Sequence, residues 1–275
     1  MTNAAGPHGR RALVTGAGSG MGAAIARRMA QAGYQVFATV RNAQRAGQLA
    51  ADNPSIRYLV LELTDESQIA AVASQLEADG GLDVLVNNAG YGVFGAIEEV
   101  DEEVALRQFA VNVLGPLALT RRLLPGLRAR RGHVIWVGSL AGRMALPFQG
   151  HYSASKAAIA SISDAMRMEL APCGVRVTCV EPSDFATGFT GSRSVSRCPS
   201  SVYAQALDRC LVEVEKQERG APDPEWVARV VQAIAEHVDP PVRRPVGANA
   251  RTMGLLLGLV PSRWAERMIR RHYRL

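Results

Sequence analysis

Arg11-Ala12-Leu13-Val14-Thr15-Gly16-Ala17-Gly18-Ser19-Gly20-Met21-Gly22 runs from a short apolar segment into a turn that has glycine at every second position from Gly16 to Gly22. Good helix formers follow, among them Ala23, Ala24, Ile25, Ala26, Met29 and Ala30, until Gly33 closes the segment as a C-terminal cap. A strand, a glycine turn and a helix amino terminus in that order bring backbone N–H groups to where a pyrophosphate can sit, and the helix dipole favours its charge.

Outward from this stretch the chain alternates β-branched runs with helix-length segments. Strands are expected at 11–15, 35–40, 56–61, 82–87, 133–138, 175–181 and 242–246, and helices at 21–32, 42–52, 65–79, 101–130, 150–171 and 223–237. That alternation predicts an α/β fold, a single Rossmann-type doubly wound parallel sheet of about seven strands with helices on both faces. Right-handed crossovers put the carboxyl ends of the strands on one edge, where open α/β sheets bind ligands. No linker or repeat divides the chain. The expected organisation is a flexible N-terminus over 1–10, a catalytic domain over 11–250, and a basic extension over 251–275 packed on it.

Of 31 basic residues only Lys156 and Lys216 are lysines, and Lys156 follows Tyr152 by one helical turn. An ammonium near a phenol stabilises the phenolate and lowers its pKa by about 1–3 units, which suits the phenol to proton transfer. A tyrosine on a core face with a lysine at its rim gives the same spacing, so the decision comes from the rest of the chain.

Thr15-Gly16-x-x-x-Gly20-x-Gly22, Asn87-Asn88-Ala89-Gly90, Ser139 and Tyr152-x-x-x-Lys156 together resemble the short-chain dehydrogenase/reductase family of compact type, over about residues 10 to 247. Ala38 to Asn42, Leu146-Pro147-Phe148 and the long tail are similar to 17β-hydroxysteroid and retinol dehydrogenase-like members. The resemblance implies an oxidoreductase acting on CH–OH groups. Tyr152 would be the acid/base, Lys156 its electrostatic support and a ribose ligand, and Ser139 the holder of the substrate oxygen. Asn112 would link Lys156 to solvent through water. Cofactor contacts would come from Gly16, Ser19, Gly20, Met21, Gly22, Glu62, Leu63, Asn88, Ala89, Gly90, Pro182 and Thr187 as well as from Tyr152 and Lys156. Two positions depart from the family pattern: Glu62 stands where aspartate is commoner, and Ser183 stands where glycine usually follows Pro182.

No acidic residue lies between Gly33 and Ala51, while Arg41 follows the second strand. An arginine there pairs with a ribose 2′-phosphate, which favours NADP(H) over NAD(H), with no metal. NAD(H) dependence with the same chemistry and a non-catalytic NADP-binding sensor or scaffold are the alternatives. The expected pocket lining is Tyr91, Val93, Phe94, Met144, Leu146, Phe148, Phe185 and Phe189, with Arg143 and His151 as its polar exceptions. Such a lining fits a hydrophobic secondary alcohol or ketone, steroid-like, retinoid-like or a natural product. The segment from Thr187 to Gly220 reads either as a substrate lid or as a surface excursion.

Residues 251–275 hold six arginines and one glutamate, +5 of the chain's formal +6, so the body is nearly neutral and nucleic-acid binding is not expected. Arg263, Arg267, Arg270 and Arg274 fall at helical spacing, a pattern that suits packing near the substrate mouth or, less favoured, contact with a membrane surface. No stretch has transmembrane length, the residues before the first strand are too few for a signal peptide, and the four cysteines lack metal or disulfide spacing; a cytoplasmic protein is expected. Surplus apolar residues on the helices near 101–130 and 150–171 suggest a self-complementary interface, hence a homodimer or homotetramer.

Overall fold

The structure is a computed structural model that describes residues 9–183, 185, 193–198, 200–248, 250, 252 and 260–275. Its main sheet is built from β1 (Arg11–Val14), β2 (Gln35–Val40), β3 (Ile56–Val60), β4 (Val84–Asn87), β6 (His133–Val137), β7 (Arg176–Pro182) and β9 (Arg243–Val246). They lie in the order β3-β2-β1-β4-β6-β7-β9, all parallel, as expected for a doubly wound sheet. The chain winds from β1 outward to β3 and then returns to the other side of β1 as β4. This reversal opens a crevice beyond the ends of β1 and β4.

The central strands are apolar because both faces are covered, whereas the edge strands β3 and β9 are only partly buried. Alternation sends Ala12 and Val14 to one face, against Ile25 and Met29 of α1 (Gly20–Gln31) and Val227 and Val231 of α8 (Glu225–Glu236). Leu13 goes to the other face. There it joins a core with Ile69 and Leu76 of α3 (Glu66–Ala78), Leu119 and Leu123 of α5 (Gly115–Ala129), and Ile159 of α6 (Gly150–Leu170). α2 (Ala43–Asp52) crosses between β2 and β3, with Asn42 accepting a capping bond from the Arg45 N–H.

Two features depart from the sequence reading. The segment expected as one helix over 101–130 is α4 (Glu102–Phe109), a π-helical turn over Ala110–Leu114 and then α5, with the Gly115 N–H donating to the Ala110 carbonyl. In addition, residues from Arg193 onward build a lobe over the carboxyl edge of the sheet. β5 (Val93–Phe94) pairs in parallel with β8 (Ser194–Val195), and α7 (Ala204–Arg219) buries Leu207, Cys210, Leu211 and Val214 with Phe94 and Tyr273. α9 (Ser262–His272) lies along α7: His272 hydrogen-bonds Gln217, and Arg209 donates to the Arg274 carbonyl.

The start of α5 touches the turn after β3. A Cβ at Gly115 would strike the Leu63 carbonyl and lie 2.9 Å from the Leu63 Cβ, whereas one at Gly47, on the exposed face of α2, would meet nothing within 4 Å. Gly115→Ala is therefore expected to destabilise the fold by ~1–3 kcal/mol through overpacking. Gly47→Ala should stabilise it by about 0.5–1 kcal/mol through helix propensity. Denaturant midpoints of the two variants against the parent check both signs.

Candidate active site

The glycine turn is stitched to the end of β4 by a buried hydroxyl. Thr15 Oγ1 accepts the N–H groups of Asn88 at 3.0 Å and Ala89 at 3.1 Å, while Asn88 Nδ2 donates to the carbonyls of Thr15 at 2.9 Å and Gly16 at 3.3 Å. The approach is close enough to exclude side chains: a Cβ at Gly16, whose φ is +67°, would lie 2.8 Å from Ala89 Cα, and one at Gly22 would lie 2.5 Å from Asn88 Nδ2. Ser19 precedes α1 without capping it, and the first turn holds no acidic residue. The first amides of the helix thus lack helical partners and give an anion-binding end.

The end of β2 closes this part of the cleft. Thr39 accepts the Gly16 N–H on its hydroxyl at 3.3 Å and the Ala17 N–H on its carbonyl at 2.8 Å. Arg41 is exposed and lines the cleft, and so does Arg45, which donates to the Gly18 carbonyl at 3.2 Å. Arg45 was missed in the sequence reading, although it lies one helical turn beyond Arg41. Leu63 and Glu62 line the same wall; Glu62 accepts from the Thr64 N–H at 3.2 Å and the Thr64 hydroxyl at 3.0 Å.

Opposite, β6 ends beside a short turn, Leu140–Gly142, that Ser139 caps by accepting the Ala141 N–H at 3.1 Å. This turn presses on α6 through Gly142, where a Cβ would lie 2.8 Å from the Lys156 backbone carbonyl. Tyr152 and Lys156 lie in the first two turns of α6. Lys156 Nζ is 5.8 Å from the centroid of the Tyr152 ring and donates to the Val137 carbonyl at 3.0 Å. Burial pulls the Lys156 pKa down from 10.5 to about 8, with Cys179 opposing, so the ammonium still prevails at neutral pH.

Asn112 stands in the π-helical turn and is buried. Its Oδ1 accepts the Tyr91 N–H at 3.0 Å, and its Nδ2 donates to the Tyr91 carbonyl at 2.9 Å and to Ser155 Oγ at 3.1 Å. The side chain is thus a clamp between the turn after β4 and α6.

Arg143 does not line the cleft. It donates to the Glu181 carboxylate, with Nε at 2.9 Å and Nη2 at 2.6 Å; Glu181 is 1% exposed and also meets Arg243, which pairs with Asp164 at 2.6 Å. A buried carboxylate left unpartnered costs several kcal/mol, so this chain of charges anchors the Ser139 turn to β7 and β9.

The cleft encloses about 1590 Å³. That exceeds the ~300–1,000 Å³ of a site for one small ligand and leaves room for a dinucleotide and a second molecule. It takes in Gly16, Ser19, Gly20, Met21, Gly22, Arg41, Glu62, Leu63, Asn88, Ala89, Gly90, Ser139, Tyr152 and Lys156, together with Tyr91, Phe94, Met144, Leu146 and Phe185. Val93, Phe148 and His151 are not among its lining residues, and Phe148 instead packs in the lobe beside Tyr203. Pro182 is buried in the ladder and Ser183 faces the cleft in its place. Thr187 and Phe189 lie outside the described residues. Arg193, Gln217, Glu218 and His272 supply polar lining that the sequence reading did not find.

The family model described as short chain dehydrogenase matches residues 10–197. The chain belongs to the short-chain dehydrogenase family. Similar to it is a 3-ketodihydrosphingosine reductase of Bacteroides thetaiotaomicron, 35% identical over 240 residues that cover 86% of this chain and 87% of that protein. An NADPH-dependent 3-dehydrocapnine reductase of Ornithobacterium rhinotracheale is 36% identical over 222 residues, 75% of this chain and 78% of that one. A short-chain dehydrogenase of Streptomyces avermitilis, known from its crystal structure, aligns with a TM-score of 0.82 at 33% identity, covering 98% of this chain and 97% of its own. As a member of the family the chain is an oxidoreductase that uses a nicotinamide cofactor. The glycine turn, held so close to the end of β4 that a Cβ at Gly16 or Gly22 would clash with the protein itself, and the first amides of α1, which lack helical partners, fit such a dinucleotide.

A lysine whose pKa is lowered in the fold weakens the fold while it is protonated. The penalty is fully present below about 8 and is relieved as pH rises from there toward 10.5, the window in which the unfolded chain binds more protons. Lys156→Met should accordingly raise stability at pH 7 by about 1–2 kcal/mol, after allowing for the hydrogen bond to Val137 that it loses. The advantage should shrink steadily across that window in urea titrations run at a series of pH values.

Proposed function

We propose that this chain is an NADP(H)-dependent reductase of lipophilic ketones that also runs the reverse oxidation of the secondary alcohol. One observation carries the reading: Ser139, Tyr152 and Lys156 converge on a cleft whose other end is the glycine cradle with Arg41 and Arg45 beside it. The keto and dehydro compounds in the two relatives' names favour the ketone-reducing direction.

In this reading the amides at Gly16, Ser19, Gly20, Met21 and Gly22 hold the pyrophosphate, and Glu62 and Leu63 border the adenine. Asn88, Ala89 and Gly90 flank the dinucleotide, Lys156 binds the nicotinamide ribose, and Ser183, which faces the cleft after Pro182, borders the nicotinamide. When bound, the nicotinamide supplies the hydride. Tyr152 gives its proton to the carbonyl oxygen as charge builds there, and the Lys156 ammonium stabilises the phenolate left behind. Because Ser139 Oγ already accepts from Ala141, its own proton is the one directed to the substrate oxygen. Asn112 is a positioning residue that fixes Tyr91 and Ser155.

We further propose a single cytoplasmic domain over 11–250 with 251–275 packed on it, assembling as a homodimer at least. No helix among the described residues is long and apolar enough to cross a membrane, and Cys173, Cys179, Cys198 and Cys210 are free thiols. Leu106 and Leu114 near the π-helical turn and Met168 on α6 are 64%, 60% and 72% exposed, an apolar surface suited to a second copy. The other apolar residues of these helices are largely taken up by the core.

Following NADPH absorbance against lipophilic ketones tests the reading. Tyr152→Phe should lower kcat by about 10²–10⁴-fold and leave NADPH binding intact; near-parental turnover would refute the assignment. Arg41→Ala combined with Arg45→Ala should weaken NADPH about 10–100-fold through loss of charge-assisted bonds to the 2′-phosphate while NADH changes little. Equal losses for both nucleotides would place these arginines elsewhere.

A further inference from the structure

Arg193 is a buried arginine of which only part is used. It precedes β8, its side chain is 6% exposed, and its guanidinium stacks 5.0 Å from the centroid of the Phe94 ring. Nη2 donates to Glu215 Oε1 at 2.7 Å, while Nη1 is buried with no hydrogen-bond partner. Arg193 lines the same cleft as Ser139 and Tyr152. A guanidinium N–H taken from water and given no acceptor is costly, and the cost is removed by whatever acceptor reaches it. The stack on Phe94 and the pair with Glu215 hold the plane of the fork, and Arg193 borders the cleft, so a molecule bound in the cleft is positioned to supply the missing acceptor.

The surroundings decide which acceptor. Glu215 already neutralises the guanidinium, and Glu218 adds a second carboxylate to the lining. A carboxylate or phosphate brought here meets no net positive charge, whereas a neutral oxygen needs only the free N–H. We infer that Arg193 is a specificity-determining residue that receives at Nη1 a hydroxyl or carbonyl oxygen of the substrate, remote from the reacting carbonyl. The substrate class is therefore a lipophilic ketone carrying a second, uncharged oxygen function. This rests on reading the cleft as a ketone site.

Calorimetric titration with NADP⁺ present reads the contact without turnover. The probes are dodecan-3-one, its derivatives with a hydroxyl on carbon 1 or on carbon 12, and 3-oxododecanoate. The parent protein should bind at least one hydroxylated ketone about 10-fold more tightly than dodecan-3-one. Arg193→Met and Arg193→Gln should level that difference and leave dodecan-3-one within about 2-fold of its parental Kd, since the apolar wall is unchanged. Glu215→Gln keeps Nη1, so it should retain the hydroxyl preference, and by freeing the arginine's charge it should gain affinity for 3-oxododecanoate. The inference is overturned if the parent favours no hydroxylated ketone, if it favours the carboxylate, or if the preference survives in both Arg193 variants. Should those variants fail to fold, an unchanged affinity of Glu215→Gln for 3-oxododecanoate overturns it. Absence of ketone reduction with NADPH would count against the reductase reading alone, and levelled affinities in the parent against Arg193 alone.

Discussion

The close approach of two turns, locked by the Thr15 hydroxyl, is the constraint on which the rest of the site depends. Thr15 stands at the end of β1 and Asn88 at the end of β4, the two strands between which the winding reverses. Side-chain-free backbone at Gly16 and Gly22 lets the amide of Asn88 reach both carbonyls of the glycine turn. That contact sets the direction of α1 and aims its amino end into the crevice. The same turn continues through Gly90 to Tyr91, where Asn112 holds the backbone by both its N–H and its carbonyl. Asn112 in turn holds Ser155, next to Lys156. The glycine turn and the rim that carries Tyr152 and Lys156 are thus joined by a short series of hydrogen bonds.

The rim is built at a cost in stability. A lysine is held out of water against a carbonyl, and a carboxylate is buried between two arginines. Burial also pushes the Cys179 thiol up to about 12, with Glu181 adding to the effect, so this cysteine stays neutral beside the buried charges. Groups of this kind are retained where geometry matters more than free energy. Here they fix the end of β6, the Ser139 turn and α6 relative to one another.

The sequence made the winding of the sheet legible because the central strands are buried on both faces and read as unbroken apolar runs, such as Val84-Leu85-Val86 or Val134-Ile135-Trp136-Val137. The glycine turn was equally plain, since its spacing is a steric requirement. Local pattern failed where the deciding contact is distant. Arg143 is committed to Glu181, 38 residues away, and Arg193 to Glu215, 22 residues away, and no neighbour in sequence announces either pairing. The π-helical turn at Asn112 keeps helical composition, so hydrophobic periodicity reads straight through it. α7 did carry a signal, Leu207, Cys210, Leu211 and Val214 at helical spacing, but it follows a serine-rich stretch that reads as loop.

Among the described residues the lobe's apolar cluster, with Phe94, Leu207, Cys210, Leu211, Val214 and Tyr273, shares no member with the two clusters that flank the sheet. Energetic effects of substitutions add independently when the residues share no contacts. Changes in the lobe therefore add to, and do not amplify, the effects of changes in the nucleotide half. Such a division lets the lining of the lobe be altered without altering the core contacts that hold the glycine turn.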